Sequence, residues 1–151
     1  MKILILCAGI GSRLGSLTSE NPKCLVEINS ISILDRLLSQ LNNLGLKEKD
    51  VFLCGGYKNE QLPTKYRKFI NNNFLTTNMM KTTIVGLNQL YSEINCKEDV
   101  LIIYGDCLFS DEVIEEFIRD IKNFPEITLP VDLDWKDKWS KRYENIYDDA
   151  E

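Results

Sequence analysis

The sequence predicts an α/β fold, a Rossmann-like, open and mostly parallel sheet flanked by helices. Three observations predict it. Short aliphatic runs stop at glycine near residues 7, 54 and 104; helical periodicity fills the stretches between them; and the connections have ordinary crossover length. At 151 residues with 44% hydrophobic residues, the chain can bury one sizeable core and is read as a single domain over 1–151.

Residues 2–7 form a near-continuous aliphatic run, the mark of a strand buried on both faces. The next element is a helix. Ser32 caps it, Ile33, Leu34, Leu37, Leu38, Leu41 and Leu44 recur at helical spacing, and Gly45 closes it. Val51-Phe52-Leu53-Cys54 reads as a second strand halted by Gly55-Gly56. The polar stretch from Lys58 to Asn73, carrying Pro63, reads as a modest helix leading to a short strand near Phe74. Met79, Ile84, Leu87, Leu90 and Tyr91 place another helix running to about Ile94. Val100 to Tyr104 is a third strong strand, and Ser110 caps a helix whose Asp111 and Glu112 suit its positive end. A last strand is expected over Ile127 to Val131, at a sheet edge because of Pro130.

The charge balance, 18 basic against 23 acidic residues, argues against a protein that coats nucleic acid or an anionic membrane. Five cysteines without a C-x-x-C pair, and no histidine, read as reduced thiols in a cytoplasm rather than a disulfide or zinc framework. The apolar run at the start is too short for a signal-peptide core or a membrane span. The absence of histidine also excludes Ser-His-Asp and Cys-His nucleophilic catalysis. Carboxylates, lysine, arginine and a metal remain as the available chemistry.

In open parallel sheets, ligands bind outside the carboxyl ends of the strands. Three such ends are expected at Cys7 to Gly11, Cys54 to Tyr57 and Gly105-Asp106. In the first, Gly9 and Gly11 let backbone amides approach phosphate oxygens, and Arg13 and Lys23 add positive charge. The Gly-Lys-Ser/Thr of a P-loop is absent, and Leu14 stands where a dinucleotide fingerprint requires glycine. The glycine pair alone also fits an empty tight turn.

The segment Leu6-Cys7-Ala8-Gly9-Ile10-Gly11-Ser12-Arg13-Leu14, then Leu17-Thr18, then Asn21-Pro22-Lys23-Cys24-Leu25-Val26, resembles the signature of the sugar-phosphate nucleotidyltransferase superfamily. The resemblance implies the nucleotide-diphospho-sugar transferase type of fold and roles at matching positions. Ala8, Gly9, Gly11 and Ser12 would wrap the triphosphate, Arg13 would hold the outgoing phosphates, and Lys23 would neutralise charge on the α-phosphate under attack. Asp106 resembles the family's aspartate for Mg²⁺, which favours carboxylate plus phosphate oxygens; its plain alternative is a turn or capping residue. The implied reaction is attack by an acceptor oxygen on the α-phosphorus with loss of pyrophosphate. Family members are longer than this chain, and their second metal-binding carboxylate lies in the later part. The expectation is therefore an N-terminal, nucleotide-binding portion, unless Asp149 or another residue substitutes.

Gly56 and Tyr57 fall where the resemblance places contacts to the base, although Tyr57 fits simple packing as well. Thr76-Thr77-Asn78-Met79-Met80 is similar to a segment of the cytidylyltransferase branch, whose members activate phosphocholine, phosphonates and related compounds for surface glycans. Asn78 is carried over as a nucleotide or acceptor contact, with a helix cap as its plain alternative. In the tail, Asp132, Trp135 and Arg142 are candidate contacts to a polar or zwitterionic acceptor; the bland alternative is tryptophans covering a sheet edge. The expected ligands are a nucleoside triphosphate, CTP over UTP, GTP or dTTP, and a phosphorylated small-molecule acceptor. Two further readings stay open: a catalytically silent nucleotide-binding regulatory domain, and a dinucleotide-binding oxidoreductase domain, against which Leu14 speaks.

Overall fold

A computed structural model of the chain describes residues 1–141, 144, 145 and 147. The chain divides into two compact units, Met1–Glu116 and Phe117–Glu151.

The first unit is built on a four-stranded, wholly parallel sheet. Its central strand is β1 (Lys2–Cys7), where every residue after Lys2 is buried. After two 3₁₀ turns, Ser12–Thr18 and Lys23–Leu25, comes a small antiparallel ribbon of β2 (Glu27–Ile28) and β3 (Ile31–Ser32). Helix α1 (Ile33–Asn43) starts where expected: Ser32 Oγ accepts from the Asp35 amide at 3.0 Å and donates to the Asp35 carboxylate at 2.7 Å. The buried stripe Ile33, Leu34, Leu37, Leu38 and Leu41 follows the helical period, and the αL residue Gly45 ends the run.

The chain then enters β4 (Val51–Gly55), parallel to β1 with Ile3 opposite Val51 and Cys7 opposite Gly55. The helix expected from Lys58 to Asn73 is absent; residues 58–73 make a single 3₁₀ turn at Asn59–Gln61 and then β5 (Arg67–Ile70), parallel to β4. Lys58, at φ 45°, and Pro63 interrupt helical geometry. Phe69 instead alternates inward and stacks on Phe52, with ring centroids 5.4 Å apart. The expected strand near Phe74 thus lies earlier; on the same face as Phe69, Arg67 covers its ring at 5.9 Å and pairs with Glu93 at 2.7 Å.

Helix α2 (Met79–Ile94) packs over the sheet, and β6 (Val100–Tyr104) pairs with the free side of β1, giving the order β5-β4-β1-β6. One core cluster joins Leu4, Leu6, Phe52, Cys54, Phe69, Leu90 and Cys96 under α2. The alternate residues Ile3, Ile5 and Leu53 are fully buried on the other face. Each such side chain contributes about 1.5–3 kcal/mol through removal from water.

Helix α3 (Asp111–Asp120) begins with Ser110 Oγ accepting from the Val113 amide at 3.4 Å. In the second unit, Phe117 and Phe124 pack with centroids 5.0 Å apart, and α4 (Trp135–Trp139) is a short helix. The strand expected over Ile127 to Val131 does not form. Pro130 offers no ladder donor, and Ile127, Leu129 and Val131 are each more than three-quarters exposed, without a sheet partner among the described residues. No helix among the described residues is long and apolar enough to cross a membrane.

Candidate active site

The parallel registers bring the carboxyl ends of three strands to one level. Leu6 lies opposite Cys54 in β4 and Tyr104 in β6, and the Gly105 amide donates to the Leu6 carbonyl at 2.9 Å. The strand order turns about β1, because β4 and β6 flank it on opposite sides. That reversal opens a crevice at the strand ends. The three expected ends, Cys7 to Gly11, Cys54 to Tyr57 and Gly105-Asp106, therefore share one edge.

The loop after β1 turns sharply at Gly11, φ 71°. A Cβ there would stand 2.9 Å from Thr18 Cγ2 and 3.0 Å from Lys23 Cβ. Only glycine lets this backbone lie against the lysine stem. The connection onward is a kinked 3₁₀ segment, not the α-helix that often follows such a loop. Thr18, 3% exposed, donates through Oγ1 to the Gly11 carbonyl at 2.9 Å and fastens the far end of the segment. Thr18 belongs to the quoted motif, but sequence reasoning gave it no role.

Lys23, in the second 3₁₀ turn just after Pro22, forms a salt bridge with Asp106 at the end of β6. Both side chains are partly exposed, so the pair opens to solvent beside the glycine loop. Ser12 and Arg13 are exposed on the same loop, while Ala8 is buried. The Ala8 carbonyl accepts from the Tyr57 amide at 3.3 Å, which ties the first strand end to the second. The Tyr57 hydroxyl donates to the Ser19 carbonyl at 2.8 Å, and Lys58 Nζ bonds the same carbonyl at 2.8 Å and the Glu20 carboxylate at 2.9 Å. The loops carrying Gly56 and Arg13 are thereby laced together. Lys58, Glu20 and Gln61, which donates to the Glu20 carbonyl at 2.8 Å, were not picked out from the sequence; nothing in their types or spacing signals the lacing.

Asn78 caps α2, its Oδ1 accepting from the Lys81 amide at 3.2 Å. Asp132 and Trp135 stand in the second unit. There Asp132 pairs with Lys138 at 2.6 Å, and Trp135 meets the edge of Trp139 at 6.0 Å. Arg142 and Asp149 lie outside the described residues. No group of three or more Cys, Asp or Glu side chains suited to a metal occurs among the described residues. Asp106 is the carboxylate that faces Lys23 beside the glycine loop, and as a hard oxygen donor its chemistry fits a magnesium ion.

An open parallel α/β sheet with a glycine loop, a lysine and an aspartate gathered at its carboxyl edge defines a domain of the nucleotide-binding, Rossmann-like class. More particularly, residues 3–135 match the model of the MobA-like NTP transferase domain, and the chain belongs to that family. It is 34% identical to the CTP:phosphoglutamine cytidylyltransferase of Campylobacter jejuni over 100% of this chain and 60% of that protein. It is 30% identical to the D-glycero-alpha-D-manno-heptose 1-phosphate guanylyltransferase of Aneurinibacillus thermoaerophilus, over 85% of this chain and 56% of the relative. Among solved structures, the CTP:phosphocholine cytidylyltransferase of Streptococcus pneumoniae superposes with TM-score 0.58 at 28% identity, covering 73% of this chain and 47% of that one. The chain thus spans 60% or less of the length of these proteins.

Proposed function

We propose that residues 1–151 supply the nucleotide-binding portion of a cytoplasmic nucleotidyltransferase that transfers CMP from CTP to a phosphorylated small acceptor, with release of pyrophosphate. The observation that carries this reading is the Lys23–Asp106 pair set against the Gly11 loop. It places one fixed cation and one carboxylate beside backbone amides, which is what a triphosphate and its counter-ion need.

Backbone around Gly9, Gly11 and Ser12 receives the triphosphate, and Arg13 on the same exposed loop offers its guanidinium to the outgoing phosphates. An acceptor phosphate oxygen forms the new bond to the α-phosphorus while the bond from that phosphorus to the bridging oxygen breaks. Pyrophosphate leaves with the electron pair. The Lys23 ammonium offsets the charge that builds on the α-phosphate oxygens, and Asp106 keeps that ammonium aimed at the loop before the nucleotide arrives. Asp106 would also hold a magnesium ion, which screens the phosphate charges when bound. No side chain has to act as nucleophile, which suits a chain without histidine.

The choice of CTP is supported by the two cytidylyltransferases among the relatives. A second reading, a sugar-1-phosphate nucleotidylyltransferase using UTP, dTTP or GTP, is favoured by the guanylyltransferase relative. In the complete protein, with Mg²⁺, pyrophosphate release is measured for each of the four nucleotides against phosphocholine, phosphoglutamine and sugar 1-phosphates. Release confined to CTP with phosphocholine or phosphoglutamine as acceptor is the expected result, and a product of that kind would serve surface-glycan decoration. Release with a sugar 1-phosphate instead selects the second reading. Silence with every pair refutes both.

A further inference from the structure

We infer that Phe74 is the side chain against which the nucleoside lies, and that the buried Asn71 is the residue that positions it. The inference rests on reading this edge of the sheet as a nucleotide site and adds residues that the reading does not contain.

Phe74 sits on bare backbone. A Cβ at Gly56 would stand 2.7 Å from Phe74 Cβ, 2.9 Å from its ring and 2.9 Å from Ala8 Cβ. Ala8, Gly56 and Phe74 therefore make one continuous apolar floor at the strand ends, next to the phosphate loop. Tyr57 closes a side of it, its ring centroid 6.2 Å from that of Phe74 and tilted by 55°, and its hydroxyl is anchored on Ser19. Phe74 is only partly buried, so part of the side chain that packs on Gly56 remains open to solvent. A half-open aromatic next to a triphosphate cradle is what a purine or pyrimidine ring stacks on.

No regular element holds Phe74; it belongs to the loop between β5 and α2. Asn71, 2% exposed, holds that loop. Its Nδ2 donates to Thr77 Oγ1 and Thr82 Oγ1, both at 3.0 Å, and its Oδ1 accepts from the Asn73 amide at 3.1 Å. Its backbone amide donates to the Gly55 carbonyl at 2.9 Å. Thr77 Oγ1 in turn donates to the Asn73 carbonyl at 2.8 Å. The two arms of the loop are thus stapled on either side of Phe74 and tied to the end of β4 at Gly55, next to Gly56. A buried amide leaves a costly unpaired group if any partner is withdrawn, so the network admits one arrangement and with it one position of the ring.

The test is calorimetric titration of the chain with Mg·CTP and, separately, with magnesium and inorganic tripolyphosphate, which has the phosphates but no nucleoside. Phe74→Ala is expected to weaken CTP binding roughly tenfold and leave tripolyphosphate binding unchanged. Phe74→Leu, which keeps the apolar packing on Gly56, shifts CTP in the same direction. Thr82→Val removes one of Asn71's partners without changing shape and gives the same CTP-selective loss, whereas Thr82→Ser keeps wild-type affinity. Thermal melting of each variant confirms folding.

Wild-type CTP affinity in both Phe74 variants overturns the inference, as does a parallel loss for the two ligands. Wild-type binding of tripolyphosphate without added affinity for CTP overturns it too, and leaves the phosphate loop standing. If neither ligand binds, the nucleotide-site reading itself has failed, and the inference with it.

Discussion

The Lys23 ammonium is paired with the Asp106 carboxylate, a contact that joins the loop after β1 to the end of β6. Because both side chains are partly exposed, the pair adds within about 1 kcal/mol to stability, since solvent screens it. In the proposed reaction its part is to aim charge. Lys23→Ala and Asp106→Asn are each expected to lower turnover roughly 100-fold or more while leaving the melting temperature nearly unchanged. Pyrophosphate release and thermal melts on the same preparations check this. Near-normal turnover in either variant removes the role assigned to it.

The pair also shows how far the sequence could be read. Both residues were visible as candidates, one from its place behind Pro22 and one from standing at the end of an aliphatic strand, because strand ends and glycine turns are local signals. Elements with strong periods, β1, α1, α2 and β6, were legible for the same reason. β5 was not. Its residues Arg67 and Lys68 are polar, and its strand character comes from pairing with β4 and from Phe69 stacking on Phe52, neither of which a local window contains. Ile127 to Val131 failed in the opposite sense, since its alternating pattern is a strand signal that finds no paired strand among the described residues. The lacing of Lys58 to Ser19 and Glu20, like the burial of Asn71, depends on contacts between distant loops and leaves no trace in spacing.

At the opposite end of the sheet, Lys2 Nζ lies 2.8 Å from Asp50, and both side chains are mostly buried. The hydrogen bond from Lys2 holds the Asp50 carboxyl below its usual 3.8, and the same contact raises Lys2 above 10.5. A depressed carboxyl contributes stability above its unfolded value and loses it as pH falls through the folded one. A raised ammonium contributes fully below its unfolded value and loses it as pH rises through the folded one. Asp50→Asn should therefore cost about 1 kcal/mol at neutral pH and nothing in strong acid. Urea denaturation across pH reads the difference. An equal loss at both extremes would count against the ion pair.

Burial pushes the Cys54 thiol up to about 12, and its Sγ donates to the Thr82 carbonyl at 3.3 Å. Cys107, partly exposed, is also raised, first by burial and then by the negative charge of Asp106 beside it. Since the thiolate is the reactive form, both should be slow at neutral pH, and only Cys107 is accessible without unfolding. Alkylation of the folded protein at about pH 8, followed by mass spectrometry, is expected to mark Cys107 before any other cysteine. Asp106→Asn should quicken that reaction by removing the charge that disfavours the thiolate. Early labelling of Cys54 would show that β4 opens in the folded state.

Gly11 offers the sharpest separation between folding and binding. Its φ of 71° strains any side chain, and a new Cβ would press on Thr18 and on the Lys23 stem at 2.9 and 3.0 Å. The loop's exposed flank gives it room to move, so Gly11→Ala should cost about 1 kcal/mol of stability rather than unfold the sheet. The shift falls at the loop that the proposed function assigns to the phosphates. Binding of both CTP and tripolyphosphate should weaken together, roughly tenfold or more, in contrast to the CTP-selective loss expected at Phe74. Titrating the two ligands into the Gly11 and Phe74 variants side by side places the phosphates and the nucleoside on separate parts of the edge. A Gly11→Ala protein that binds tripolyphosphate normally would take the phosphates away from this loop.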